Sequence, residues 1–168
     1  HRHLRDDAPG RERALSDALR RRGGDVARLH ERPGTGVVVV TGGGSGALEA
    51  LLAVPGASRT LLEARVPYAP AALTEWLGGD PDRACDPETA RAMAMAAYRR
   101  ARHLDAEDAR FGVGCTASLV TDRPKRGEHR VHVALQTAER THLWSLVLDA
   151  GARTRAEEEA VCVALVLN

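Results

Sequence analysis

The chain has 168 residues, enough for one well-buried α/β domain and too few for two ordinary ones. With 43% hydrophobic and 28% charged residues, and Lys+Arg 24 against Asp+Glu 23 for a net charge of +1, its composition is globular rather than disordered. Aromatics are only 3%. That scarcity and the balanced charge argue against nucleic acid, which asks for a cationic face and stacking rings, and no apolar run approaches the roughly 20 residues of a membrane helix.

Residues 1–36 form a basic segment with nine Arg against six acids, expected to be helical and either separate from the domain at 37–168 or part of it. Ala14, Leu15, Ala18 and Leu19 recur at helical spacing, so the expected helix is Arg11 to Arg22, amphipathic and ended by Gly23-Gly24. The Arg20-Arg21-Arg22 run reads as a solvated helix end that suits the dipole. After the turn at Arg32 to Gly36, Val37 to Val40 is a β-branched run expected to be a central strand buried on both faces. Thr41-Gly42-Gly43-Gly44-Ser45-Gly46 breaks it, and Ala47 to Ala53 has helix composition. Arg59 to Val66 reads as a second strand and Pro70 to Leu77 as a short helix closed by Gly78-Gly79.

Asp86-Pro87 supplies an N-cap and a first-turn proline. The helix that follows is expected to reach about His103, with Ala92, Met93, Ala96 and Ala97 facing inward. Phe111 to Thr116, Arg130 to Gln136 and Thr141 to Leu148 read as strands, and Ala156 to Leu167 as a last helix whose Glu157, Glu158 and Glu159 complement its dipole. Strand–helix alternation ending in adjacent strands gives the expected class: a three-layer α/β/α domain with a mixed sheet.

Cys85, Cys115 and Cys162 are odd in number and widely spaced, which suits three reduced thiols in a cytoplasmic protein rather than a disulfide framework or zinc site. His129 and His132 are three apart on a strand and point to opposite faces, so neither a metal nor a cofactor is expected. Met93, Met95, Trp76 and Trp144 read as packing residues. The chain opens on His1 and stops inside the apolar run Val166-Leu167-Asn168, which reads as an excerpt from a longer protein.

The strand–glycine loop–helix unit is the strongest local signal. Glycines where a chain leaves a buried strand and enters a helix let the backbone approach an anion, and the N–H groups there favour phosphate or carboxylate. Gly42-x-Gly44-x-x-Ala47, with Glu63 about 20 residues on, also satisfies a weak dinucleotide fingerprint; the Walker pattern fails for want of a lysine. The alternative is a tight turn that needs glycine and binds nothing. Arg123-Pro124-Lys125-Arg126-Gly127 reads equally as a phosphate clamp or as an exposed turn.

The loop, Val54-Pro55-Gly56-Ala57-Ser58, Val66-Pro67-Tyr68, Pro87-Glu88-Thr89-Ala90-Arg91-Ala92-Met93-Ala94, Val113-Gly114-Cys115-Thr116-Ala117-Ser118 and Gly151-Ala152-Arg153, in that order, resemble the CinA C-terminal domain, the nicotinamide-mononucleotide deamidase family. The resemblance spans about residues 35–168. It is closest to a divergent branch carrying Ser118-Leu119-Val120-Thr121-Asp122-Arg123-Pro124-Lys125-Arg126-Gly127, in which the domain is one part of a larger nucleotidyltransferase-like protein.

The resemblance implies an amidohydrolase that converts the carboxamide of a nicotinamide nucleotide to carboxylate plus ammonia. Thr41 stands where the family has its nucleophilic serine, with Ser45 as the alternative and Tyr68 as proton mediator. The N–H groups of Gly42, Gly43, Gly44 and Gly46 would hold the oxyanion, and Lys125, Arg126 and Arg153 the phosphate, with Arg155 a competitor. The family lysine falls on Leu73, and its threonine on Gly114 with Thr116 nearby. Those departures imply the alternative: a catalytically degenerate nucleotide-binding or oligomerisation module. On either reading the partners are a phosphorylated small molecule and a second copy of the chain, with no nucleic acid and no membrane.

Overall fold

The computed structural model describes residues 8–107 and 109–168. Residues 1–7 of the basic segment lie outside the described residues. The order is α1 (Ala8–Glu31), β1 (Thr35–Thr41), α2 (Ser45–Ala53), a 3-10 turn (Ala57–Arg59), β2 (Leu61–Arg65), α3 (Pro70–Leu77), α4 (Pro87–Leu104), β3 (Arg110–Ser118), β4 (His129–Gln136), β5 (Thr141–Leu148) and α5 (Arg155–Leu167). No described helix is long and apolar enough to cross a membrane.

The five strands form one sheet in the order β2-β1-β3-β4-β5. β1 runs parallel to β2 and to β3, while β4 and β5 add antiparallel. Helices cover both faces, so the domain is the expected three-layer α/β/α sandwich with a mixed sheet. Val37, Val38, Val39 and Val40 are all buried. Their alternate side chains feed two cores: Val38 and Val40 meet the layer of α1, α2 and α5, and Val37 and Val39 meet α3 and α4.

Helix α1 corrects the sequence reading. It runs through Gly23-Gly24 to Glu31, because Val26 and His30 are buried against the domain. His30 meets the Thr60 hydroxyl at 2.6 Å through Nδ1 and the Leu51 carbonyl at 3.0 Å through Nε2. Two helix glycines cost about 2 kcal/mol, whereas burying a valine contributes roughly 1.5–3 kcal/mol by itself, so packing wins over propensity. The expected inward stripe Ala14, Leu15, Ala18 and Leu19 is exposed, and Arg20-Arg21-Arg22 lies within the helix rather than at its end.

Helix α4 starts as expected, with the Asp86 side chain accepting from the Thr89 N–H at 2.7 Å and Pro87 in the first turn. Its inward face is Ala90, Met93, Ala94, Ala97 and Ala101. Ala92 is exposed and Ala96 half-buried, so the expected face was turned by part of a helical step. The small residues on the true face let the α4 backbone lie directly on β3 at Gly112 and Gly114. Met95 and Trp144 are 37% and 43% exposed rather than core; Trp144 stacks on His142 on edge strand β5. The three thiols are free, with Cys115 and Cys162 buried, and among the described residues no cluster suits a metal ion.

Candidate functional site

The chain path reverses direction across the sheet between β1 and β3. The connection from β1 through α2 builds outward to β2, and the connection through α3 and α4 returns on the other face to β3. In open α/β sheets, ligands bind outside the carboxyl ends of the strands at such a switch point. Here those ends carry Thr41 with the glycine loop, and Ser118 with the Lys125 loop.

Two of the loop glycines are required by geometry alone. Gly42 has φ +75°, and a Cβ there would lie 1.9 Å from the Ala117 carbonyl oxygen. Gly44 has φ +95° and caps α2, with a Cβ position 3.1 Å from the Cys115 sulfur. A side chain at either position would be strained by its backbone and by its neighbours.

Two of the four N–H groups that the sequence offers to an anion, those of Gly44 and Gly46, are met by the protein's own carboxylate. Glu159 of α5 accepts from the Gly44 N–H at 2.8 Å and 3.0 Å and from the Gly46 N–H at 3.1 Å. This caps α2 from another helix, since Gly44 has no side chain to do it. One turn earlier, Arg155 donates to the Gly42 carbonyl at 2.8 Å and the Val120 carbonyl at 3.0 Å, which holds the loop to the segment after β3. Replacing Glu159 by alanine leaves both amides without their acceptor and is expected to cost about 1–2 kcal/mol. Urea unfolding at neutral pH checks this, and an unchanged midpoint would contradict it.

A cavity of about 400 Å³ opens at this edge, lined by Thr41, Gly42, Gly43, Ser45, Tyr68, Arg155 and Glu159 among others. Thr41 is buried, whereas Ser45 is exposed and Tyr68 is 69% exposed. The other sequence-derived candidates sit apart from it. Thr116 is buried and donates to the Ala84 carbonyl at 2.6 Å. Lys125 donates to the Ser118 hydroxyl at 2.7 Å. Arg126 and Arg153 are exposed and do not line the cavity, while Arg155, the competitor of Arg153, does.

Leu73, in the place of the lysine, is 3% exposed and packs in the apolar cluster with Val37, Val39 and Met93. No amine could be accommodated there without burying its charge in that cluster.

Beside the cavity lies a second polar arrangement. Glu158, fully buried, accepts from the Val120 N–H at 2.8 Å and meets His129 Nδ1 at 2.7 Å. The sequence reading gave Glu158 and Glu159 only a dipole role. A usable signal was present: Cys162 and Val163 are apolar one turn later, which turns both glutamates toward the protein.

No protein-family model matches the sequence, and no curated protein matches it. Solved structures do resemble the fold. The competence/damage-inducible protein CihA from Agrobacterium tumefaciens is similar at 20% identity and a TM-score of 0.70, over 87% of this chain and 91% of that one. The competence damage-inducible protein A from Klebsiella pneumoniae is similar at 15% identity and a TM-score of 0.65, over 89% and 92%. A CinA-superfamily protein from Escherichia coli is similar at 16% identity and a TM-score of 0.61, over 92% and 83%. The chain thus has the fold of these structures and diverges from them in sequence.

Proposed function

We propose that this domain binds a phosphorylated nucleotide, of the nicotinamide-mononucleotide class, in the cavity over Thr41, Ser45 and Tyr68, and that it does not hydrolyse the ligand's carboxamide there. The observation that carries this reading is the Glu159 carboxylate on the Gly44 and Gly46 N–H groups. An oxyanion needs preorganised donors aimed at the developing charge. A carboxylate on the Gly44 and Gly46 N–H groups occupies two of those donors and repels the oxyanion. Leu73 adds to this, because a threonine hydroxyl is a weak nucleophile without an adjacent base or a lowered pKa.

The convergence of Thr41, Ser45 and Tyr68 on one cavity favours a second reading, the amidohydrolase, in which Glu159 swings away and one of the hydroxyls attacks. Calorimetric titration with nicotinamide mononucleotide, run beside an ammonia assay, separates the two. Saturable binding without ammonia above the blank is the expected result. Ammonia release that is abolished by Thr41→Val or Ser45→Ala would replace the binding reading by the hydrolytic one.

A further inference from the structure

Ser118 is the last residue of β3, and its register partner across the sheet is Arg130 of β4. The connection between these strands folds back so that Lys125 donates to the Ser118 hydroxyl at 2.7 Å. Arg130 lies beside both, and its Nε is buried with no hydrogen-bond partner among the described residues. A buried, unpartnered guanidinium N–H is costly and calls for an acceptor.

The local charge points the same way. Burial, the largest influence, holds the Lys125 ammonium below the usual lysine value; Glu158 and Cys85 oppose this, while Arg155 and Arg130 add repulsion. Glu158 is already shared between His129 and the Val120 N–H. Further along β4, His132 bonds Ser145 of β5 at 2.7 Å; burial, first, and the Arg130 charge hold its imidazole down, against Asp86. Cys85 walls the group from the loop before α4, its thiol pushed up by burial against the opposing contact of the Arg130 side chain. Lys125, Arg130 and Arg155 thus gather at the end of β3, and Glu158, the carboxylate that faces Lys125, already has two other partners.

The group is also within reach of the cavity. Thr41 pairs with Thr116 in the parallel register, so Thr41, Thr116 and Ser118 share a face. Ordinary strand spacing and rise put the Ser118 and Thr41 Cα atoms on the order of 8 Å apart. With Glu159 on the glycine loop, a ligand phosphate has no place at the α2 N-terminus and finds its donors here instead.

We infer that Ser118, Lys125 and Arg130 form the subsite for the phosphoryl group of the nucleotide, with the Lys125 ammonium and Arg130 Nε as charge-assisted donors. This rests on the nucleotide-binding reading. Calorimetry of the full chain with nicotinamide mononucleotide and adenosine monophosphate, each beside its own riboside (nicotinamide riboside and adenosine), tests it, with thermal melts to verify folding of each variant. At least one mononucleotide is expected to bind, with its riboside weaker by roughly tenfold or more. Lys125→Met and Arg130→Met are each expected to lose a similar factor for the mononucleotide and little for the riboside. Lys125 lies in a half-exposed loop, so its variant decides the matter if the Arg130 variant does not fold. Equal affinity for mononucleotide and riboside, or wild-type affinity in Lys125→Met, would overturn the subsite and leave the binding reading standing. No binding of either mononucleotide would overturn both.

Discussion

Gly114→Thr, which would reinstate the residue found at this position in the family the sequence resembles, is expected to lower stability by at least about 3 kcal/mol and to restore no activity. Overpacking in a well-packed core costs typically 1–3 kcal/mol and sometimes more. At Gly114 the obstruction includes main chain: a Cβ would lie 2.6 Å from the Ala90 carbonyl oxygen, 2.6 Å from Met93 Cβ and 2.7 Å from the Ala94 nitrogen. Neither peptide group can swing aside as a side-chain tip can, so α4 would have to lift from β3. Lifting α4 would also open its contacts with Val37 and Val39 in the apolar cluster beneath. Gly127→Ala is the control, since nothing lies within 4 Å of a Cβ there, and it is expected to fall within about 0.5 kcal/mol of the parent. Urea unfolding of the three proteins reads the outcome. A Gly114→Thr protein as stable as the control would overturn the packing account.

The same glycine shows how far the sequence could be read. As a motif position it stood for a missing catalytic hydroxyl, whereas in the fold it is where a helix backbone touches a strand. Elements whose signals are local in the sequence are legible there. The Val37 to Val40 run has no alternative to a central strand, the Asp86-Pro87 pair caps and opens α4, and Pro70 to Leu77 is bounded by its own proline and glycines. What failed depended on contacts distant in sequence. Gly23-Gly24 cannot announce that His30 will find Thr60 and Leu51. The alanine-rich α4 offers several faces of similar apolarity, and the glycines of β3 choose among them. At the site, Thr41, Ser45 and Tyr68 could be grouped from loop chemistry and resemblance. For Glu159 the apolar Cys162 and Val163 signal an inward direction but not its partners, which lie 113 and 115 residues away.

Glu158 is the other position where one substitution is expected to cost most. It has no exposed surface and makes two bonds, to His129 and to the Val120 N–H, tying α5 to both ends of the connection between β3 and β4. Glu158→Leu leaves the imidazole and the amide in a buried site without their acceptor, so a loss of about 3–5 kcal/mol is expected, the range for breaking a buried pair from one side. Glu158→Gln keeps an acceptor for the amide and is expected to lose less. The pH dependence distinguishes charge from shape. Burial, the largest single influence on Glu158, disfavours its ionised form. The His129 bond, the Val120 N–H and the charges of His129 and Lys125 together outweigh it, leaving the carboxyl below the ordinary value of 4.5. A carboxylate with a depressed folded-state pKa stabilises fully above its unfolded value and loses that contribution as pH falls through the folded one. The advantage of wild type over Glu158→Gln is therefore expected to shrink once the pH drops below about 4.5. Urea midpoints of the two proteins between neutral and acid pH measure it. A gap that stays the same throughout would mean that Glu158 acts through its shape and hydrogen bonds alone, and not through its charge.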